Sequence, residues 1–344
     1  MRKCAAGALL GVIALRLALL AGAGDSVEKW VREITADGSL ISATLRLELG
    51  SGEKAEQPET TPVRDDDSAV RTMQVVVTAQ PENTPEPVSS PEPDIAAADL
   101  SGNVELKNDT GFDVDLDALA AEGLDMRLKK GEPQVLIIHT HSSEAYAQEP
   151  FDTYEESDPG RTEDKSHSVI RVGDELEKKL EEHGLTVIHD RELYDYPSYT
   201  GSYTRAGAAI ESYLADYPSI EIVIDLHRDA IGTGDTVYKT RAEVAGQSCA
   251  QVMLLIGTGE NGLYHPAWRE NLKLALYMQR AADEKCPTLM RPIALKPERY
   301  NQQLTQGSMI IEVGSSGNTL SEALLAIDLF GDAVGKALGE LVEE

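Results

Sequence analysis

Short apolar runs alternate with longer stretches of helical periodicity along the C-terminal two-thirds of the chain, and this alternation most restricts what it can fold into. Residues 135–138, 185–188, 220–226, 250–256 and 308–313 are too short for helices and read as strands. Between them, Val169, Val172, Leu176 and Leu180 recur at helical spacing within 168–183, and further helices are expected over 203–217, 266–284 and 319–341. The pattern predicts an α/β fold, a largely parallel central sheet with helices on both faces. In open sheets of that class, sites gather at the carboxyl ends of the strands.

The rest of the 344-residue chain is different in kind. Residues 1–24 hold Arg2 and Lys3 followed by an apolar run broken by Arg16, which reads as a membrane anchor or a signal peptide. Arg16 would cost roughly 2.5–3.5 kcal/mol near a helix centre and weakens the anchor reading, while Ala21-Gly22-Ala23 resembles a cleavage site. Either reading exports the remainder of the chain. Residues 25–109 are expected to be an extracytoplasmic, largely disordered linker, rich in Pro and acidic residues, as in QPENTPEPVSSPEPD. The folded domain is expected over 110–344, with 110–130 as an ordered approach to it. The formal charge of −28 argues against nucleic-acid binding, since nothing would neutralise phosphates. Cys4, Cys249 and Cys286 are too widely spaced for a disulfide framework or a zinc knuckle, and the last two read as buried thiols.

Chemistry concentrates where apolar strands stop. VLIIHTHSSEAY ends a strand in His139 and His141 with Glu144 three residues on; IEIVIDLHRDA ends in Asp225, His227 and Asp229; SMIIEVGSSGNT ends in Glu312. Parallel strands would deliver all three ends to one edge of the sheet. His141, Glu144 and His227, two imidazoles and a carboxylate with a fourth position left for water, suit catalytic zinc. His167 is an alternative third ligand to Glu144. Glu312 is the expected catalytic base, its carboxyl raised by apolar surroundings. The side chain of His139 should point away from that of His141 and serve a supporting or core role. His183, His189 and His265 read as structural. Each motif alone is commonplace; their shared strand-end placement carries the reading.

HTHSSEAY, HSVIRVGDEL, DYPSYTGSYTRA, VIDLHRDA and RYNQQLTQGSMIIEVGSSGNTLSEA, in this order over about 131–340, resemble the stage II sporulation protein P (SpoIIP) family of endospore-forming bacteria. The resemblance implies a zinc amidase/carboxypeptidase-like domain acting as an N-acetylmuramoyl-L-alanine amidase, with endopeptidase action on peptide crosslinks. It implies Zn2+ on His141 and His227 and Glu312 as catalytic carboxylate. It also implies a single-pass membrane protein whose catalytic domain faces the septal intermembrane space. There it would remodel the wall during forespore engulfment with SpoIID-like and SpoIIM-like partners. In the broader amidase group the carboxylate ligand lies near the start of the next helix, where this chain has Ser166-His167-Ser168. The related zinc carboxypeptidases use the H-x-x-E spacing of His141 and Glu144. Arg291 is a candidate for binding a substrate carboxylate, as a carboxypeptidase would require; an ordinary structural arginine is the other reading. Two rival functions stand beside the amidase: a zinc carboxypeptidase or other exported peptidase, and a non-catalytic wall-binding scaffold.

Overall fold

The alternation resolves into a seven-stranded sheet with helices on both faces in a computed structural model that describes residues 104–343 except 234, 235 and 245. In chain order the elements are β1 (Leu106–Asn108), α1 (Leu116–Ala121), β2 (Val135–Ile138), α2 (Val169–Glu182), β3 (Val187–His189), α3 (Ser202–Asp216), β4 (Ile222–Asp229), β5 (Gly232–Thr233), β6 (Thr236–Val237), β7 (Ala242–Val244), β8 (Gln247–Cys249), β9 (Val252–Gly257), α4 (Trp268–Lys285), β10 (Ile293–Lys296), β11 (Gly307–Ser315) and α5 (Leu320–Gly339). The sheet runs β1-β10-β9-β11-β4-β2-β3; β5 pairs with β6 and β7 with β8 as two separate hairpins.

Neighbouring strands pair parallel throughout the sheet except at β9 and β11, which pair antiparallel. One block, β1, β10 and β9, therefore runs against the other. For β9 the reason lies in the connection that leads to it from β4. It consists of the two hairpins rather than a helix, and a parallel return needs a crossover long enough to carry the chain back. β1 and β10 were not expected as strands. Pro292 and Pro297 flank the short β10, and Leu106–Asn108 lies in what the sequence reads as linker.

Alternation along the strands divides the core between two faces. Val135, Ile137, Ile222, Ile224 and Leu226 pack with α2, α4 and α5, while Leu136, Ile138 and Val223 pack with Ala206 and Ile210 of α3. Ser168 caps α2 by accepting from the Ile170 N–H, and Val169, Val172, Leu176 and Leu180 are all buried as their spacing requires. Thr319 and Glu322 form a capping box at the start of α5. Cys249 and Cys286 are buried and unbridged. The anchor-or-signal segment and nearly all of the linker lie outside the described residues. No helix among the described residues is long and apolar enough to cross a membrane.

Candidate metal centre

The turn after β2 brings His141 and Glu144 together. The Glu144 N–H donates to the His141 carbonyl at 3.0 Å, folding the carboxyl group back beside the imidazole. Asp195 holds the turn by accepting from the Ser143 N–H at 3.0 Å and from the hydroxyls of Ser142 and Ser143 at 3.2 and 2.6 Å. From β4, the Arg228 N–H donates to Glu144 Oε2 at 3.2 Å, and its guanidinium donates to the carbonyls of Ala145 and Gly160. Glu144 is thus held from both strands.

Glu144 Oε1 lies 3.6 Å from His141 Nδ1, and Oε2 lies 3.4 Å from His227 Nδ1. A tetrahedral zinc with bonds near 2.1 Å places its ligand atoms about 3.4 Å apart, so this spacing suits such an ion better than it suits short hydrogen bonds. One ligand atom from each of the three side chains falls within a set no wider than 4.8 Å. His227 also shows the orientation a ligand needs. Its Nε2 lies 2.8 Å from Asp225 Oδ1, oblique to a good hydrogen bond but close enough to require the ring hydrogen on that side. Nδ1 then presents its lone pair to the cluster, the carboxylate-oriented imidazole found behind many metal ions. Asp225 is fixed in turn by Thr140, whose N–H and hydroxyl donate to it at 2.7 and 2.6 Å. The residues present therefore fit a divalent cation.

Glu312 reaches the same place through register. β11 and β4 pair so that Glu312 stands opposite His227, side by side on one face of the sheet. Its Oε2 is enclosed and accepts no hydrogen bond among the described residues. Burial, reinforced by the Asp229 charge, pushes its carboxyl up to about 8 despite the opposing pull of His227. Burial also acts to raise Glu144 and Asp225. For Glu144, the facing imidazoles of His141 and then His227 win and hold it well below the usual range; for Asp225, the His227 charge and the hydrogen bonds from Thr140 hold it below. Burial would lower His227, but Asp225 and Glu144 hold it well above its ordinary value.

The metal-free protein should depend on pH accordingly. A carboxyl raised on folding favours its neutral form, so what Glu312 contributes is full below about 4.5 and lost as pH climbs towards 8. The raised imidazole of His227 likewise contributes below its ordinary value of 6.5 and loses that contribution as pH rises through its folded value. The metal-free thermal midpoint should fall between pH 5 and pH 9, and Glu312→Gln should flatten part of that fall. Thermal melts of the stripped protein across this range check it.

The other expected residues sort clearly. His167 is not in the cluster; its ring nitrogens meet Asp164 Oδ2 at 2.9 Å and Asp152 Oδ1 at 3.1 Å. His139 is fully buried on the opposite face, its Nδ1 2.8 Å from the Leu226 carbonyl. Arg291 is also buried and binds Asp229 Oδ2 at 2.8 Å, so it serves the structure rather than an open pocket. Sequence reasoning gave no role to Tyr199, Tyr203 or Arg161. Tyr199 stacks on His141 with centroids 4.5 Å apart, Arg161 lies over Tyr199 at 4.8 Å, and Tyr203 meets His141 edge-on at 5.5 Å. The run SYTGSYTRA shows tyrosines at intervals of four, but only the docking of α3 reveals what they touch.

Fold and site together define an α/β protein with a His/Glu/His group able to hold a metal ion at its strand ends, and a buried carboxyl beside it. The model of a family described as Stage II sporulation protein P (SpoIIP) matches residues 45–335, and the chain belongs to that family. It is 28% identical over 213 residues to Stage II sporulation protein P of Bacillus subtilis (strain 168), a match spanning 58% of this chain and 50% of that protein. The chain thus spans about half the length of the curated relative it matches. Among solved structures it is similar to the amidase Ami1 of Mycobacterium abscessus, at 13% identity and a TM-score of 0.38 over 62% of this chain and 99% of that one. It is similar also to the CwlD amidase of Clostridioides difficile, solved in complex with the GerS lipoprotein, at 13% identity and a TM-score of 0.37 over 60% and 98%. Likenesses this loose carry no argument about the chemistry of this chain.

Proposed function

We propose that this chain is an exported, zinc-dependent peptidoglycan hydrolase, an N-acetylmuramoyl-L-alanine amidase of sporulation with endopeptidase action on crosslinks. The observation that carries the reading is the Glu144 carboxylate faced by the Nδ1 atoms of His141 and His227, with the enclosed Glu312 carboxyl on the adjacent strand. His141, Glu144 and His227 would hold the zinc, which supplies an acidified water and polarises the scissile carbonyl.

The side chains of the protein divide the remaining work. Asp225 keeps the hydrogen on His227 Nε2 and so keeps Nδ1 free to ligate. Arg228 and Asp195 fix the Glu144 turn, so the three ligating groups need little reorganisation. Glu312, in the carboxylate form that the charge of a cation held beside it would favour, would take the proton of the attacking water and return it to the leaving nitrogen. Tyr203, which burial first and then Asp225 raise well above the ordinary phenol range, stays a neutral donor beside these groups.

Membership of the SpoIIP family supports a wall substrate in sporulation. Export, a membrane tether, a septal location and SpoIID-like and SpoIIM-like partners belong to the same proposal. Arg291 is engaged with Asp229, which disfavours the carboxypeptidase alternative.

The test incubates the full chain with purified peptidoglycan, with zinc or with a chelator, and identifies released fragments by mass spectrometry. Stem peptides beginning with L-alanine, absent under chelator, are the expected result. Unchanged peptidoglycan in both tubes, with no zinc bound, would replace the amidase by the scaffold reading.

A further inference from the structure

On the face of the sheet opposite His141, two histidines meet end to end. His139 Nδ1 lies 2.8 Å from the Leu226 carbonyl, and His139 Nε2 lies 2.8 Å from His189 Nε2. His189 Nδ1 then faces outward to Glu177 Oε2 at 3.3 Å and Asp174 Oδ1 at 3.5 Å, both from α2. The helix comes this close because position 173 is glycine: a Cβ there would stand 2.7 Å from Nε2 of both rings.

The hydrogens in this chain of contacts do not balance. Two neutral imidazoles carry one ring hydrogen each. Three contacts call for one: Leu226 carbonyl to His139, His139 to His189, and His189 to the carboxylates. The two 2.8 Å contacts are buried and have the length of good hydrogen bonds, so they take both hydrogens. A buried lone pair on His189 Nδ1 is left aimed at two carboxylates. That arrangement repels unless a positive charge stands between them.

We infer that His189, Asp174 and Glu177 form a second divalent-cation site, separate from the proposed zinc centre. One atom from each side chain lies within a set no wider than 4.8 Å, and the 3.3 and 3.5 Å spacings match the roughly 3.4 Å expected around a tetrahedral zinc. One imidazole and two carboxylates suit zinc, cobalt or manganese, with water completing the shell.

Arg191 is the competing occupant. Its Nε donates to Asp174 Oδ1 at 2.8 Å, Nη2 donates to Glu177 Oε2, and Nη1 donates to the His189 carbonyl at 3.1 Å. None of these N–H groups reaches His189 Nδ1 among the described residues, so the guanidinium neutralises the carboxylates without meeting the lone pair. Its side chain is 43% exposed and can swing into solvent when a cation enters. Binding is therefore weakened by the arginine rather than prevented.

The experiment titrates zinc calorimetrically into the metal-stripped full chain in detergent at pH 7. Two zinc ions per chain are expected for the wild type. The double variant D174N/E177Q should bind one, His141→Ala should also bind one, and Arg191→Gln should tighten the second event about fivefold, the order of two exposed ion pairs. One zinc in the wild type that His141→Ala abolishes and D174N/E177Q leaves intact would overturn this site while sparing the proposed centre. One zinc that only D174N/E177Q abolishes would do the reverse. Two zincs retained by D174N/E177Q would also overturn the assignment.

Discussion

Glu312→Gln should leave a folded chain that binds zinc at the centre with wild-type affinity and releases stem peptides 100- to 10,000-fold more slowly, the range typical for loss of a positioned acid–base group (~10²–10⁴). Glutamine keeps the shape of the side chain and remains neutral. The carboxyl it replaces is already pushed towards neutrality, to about 8, by burial and Asp229. The substitution therefore introduces no new buried charge and should not lower stability. Its Oε2 has no hydrogen-bond partner among the described residues, so no structural contact made by that oxygen is lost. Fragment release by mass spectrometry, beside zinc content of the same sample, separates the outcomes. Wild-type turnover would remove Glu312 from the reaction, and loss of zinc would make it a ligand or a support.

His227→Ala should abolish both zinc binding at the centre and turnover, and should unfold at lower temperature in the metal-free state. This side chain stands between two carboxylates, with Nδ1 3.4 Å from Glu144 and Nε2 2.8 Å from Asp225. Removing it takes from both buried acids a group that helps hold their pKa values down, beside His141 for Glu144 and Thr140 for Asp225. Breaking a buried charge pair from one side commonly costs about 3–5 kcal/mol. The effect on stability should therefore be clear without metal, in contrast to Glu312→Gln. Denaturant unfolding of stripped protein, with calorimetry for zinc, measures both parts. A stable variant that still binds zinc at the centre would show that Glu144 and His141 suffice and that His227 has been misassigned.

The expected amidase reaction ties the two substitutions together, because one removes a proton carrier and the other dismantles the group that would hold the metal. Their signatures differ in metal content and stability rather than in activity alone. Neither should disturb the His189 site, which is approached from the opposite face through His139 and Gly173.

By itself the sequence determined the α/β class, most strands and helices, and the strand ends where chemistry would sit. These are local properties: apolar periodicity sets the element, and His139, His141, Asp225, His227 and Glu312 at the ends of apolar runs are visible without any long-range contact. Tertiary structure alone decided which of them meet. Pairing of β11 with β4 put Glu312 opposite His227, and the turn after β2 brought Glu144 to the cluster while His167 went to Asp152 and Asp164. The hairpins between β4 and β9 reversed β9, which periodicity could not orient. Arg291, open to a substrate role on sequence grounds, was committed to Asp229 by the packing around it. Strand order, register and side-chain partners depend on contacts between residues far apart in the chain, and a single sequence carries no direct signal for them. The His139–His189 contact shows this most sharply, since two histidines fifty positions apart read as unrelated core residues until α2 closes over them at Gly173.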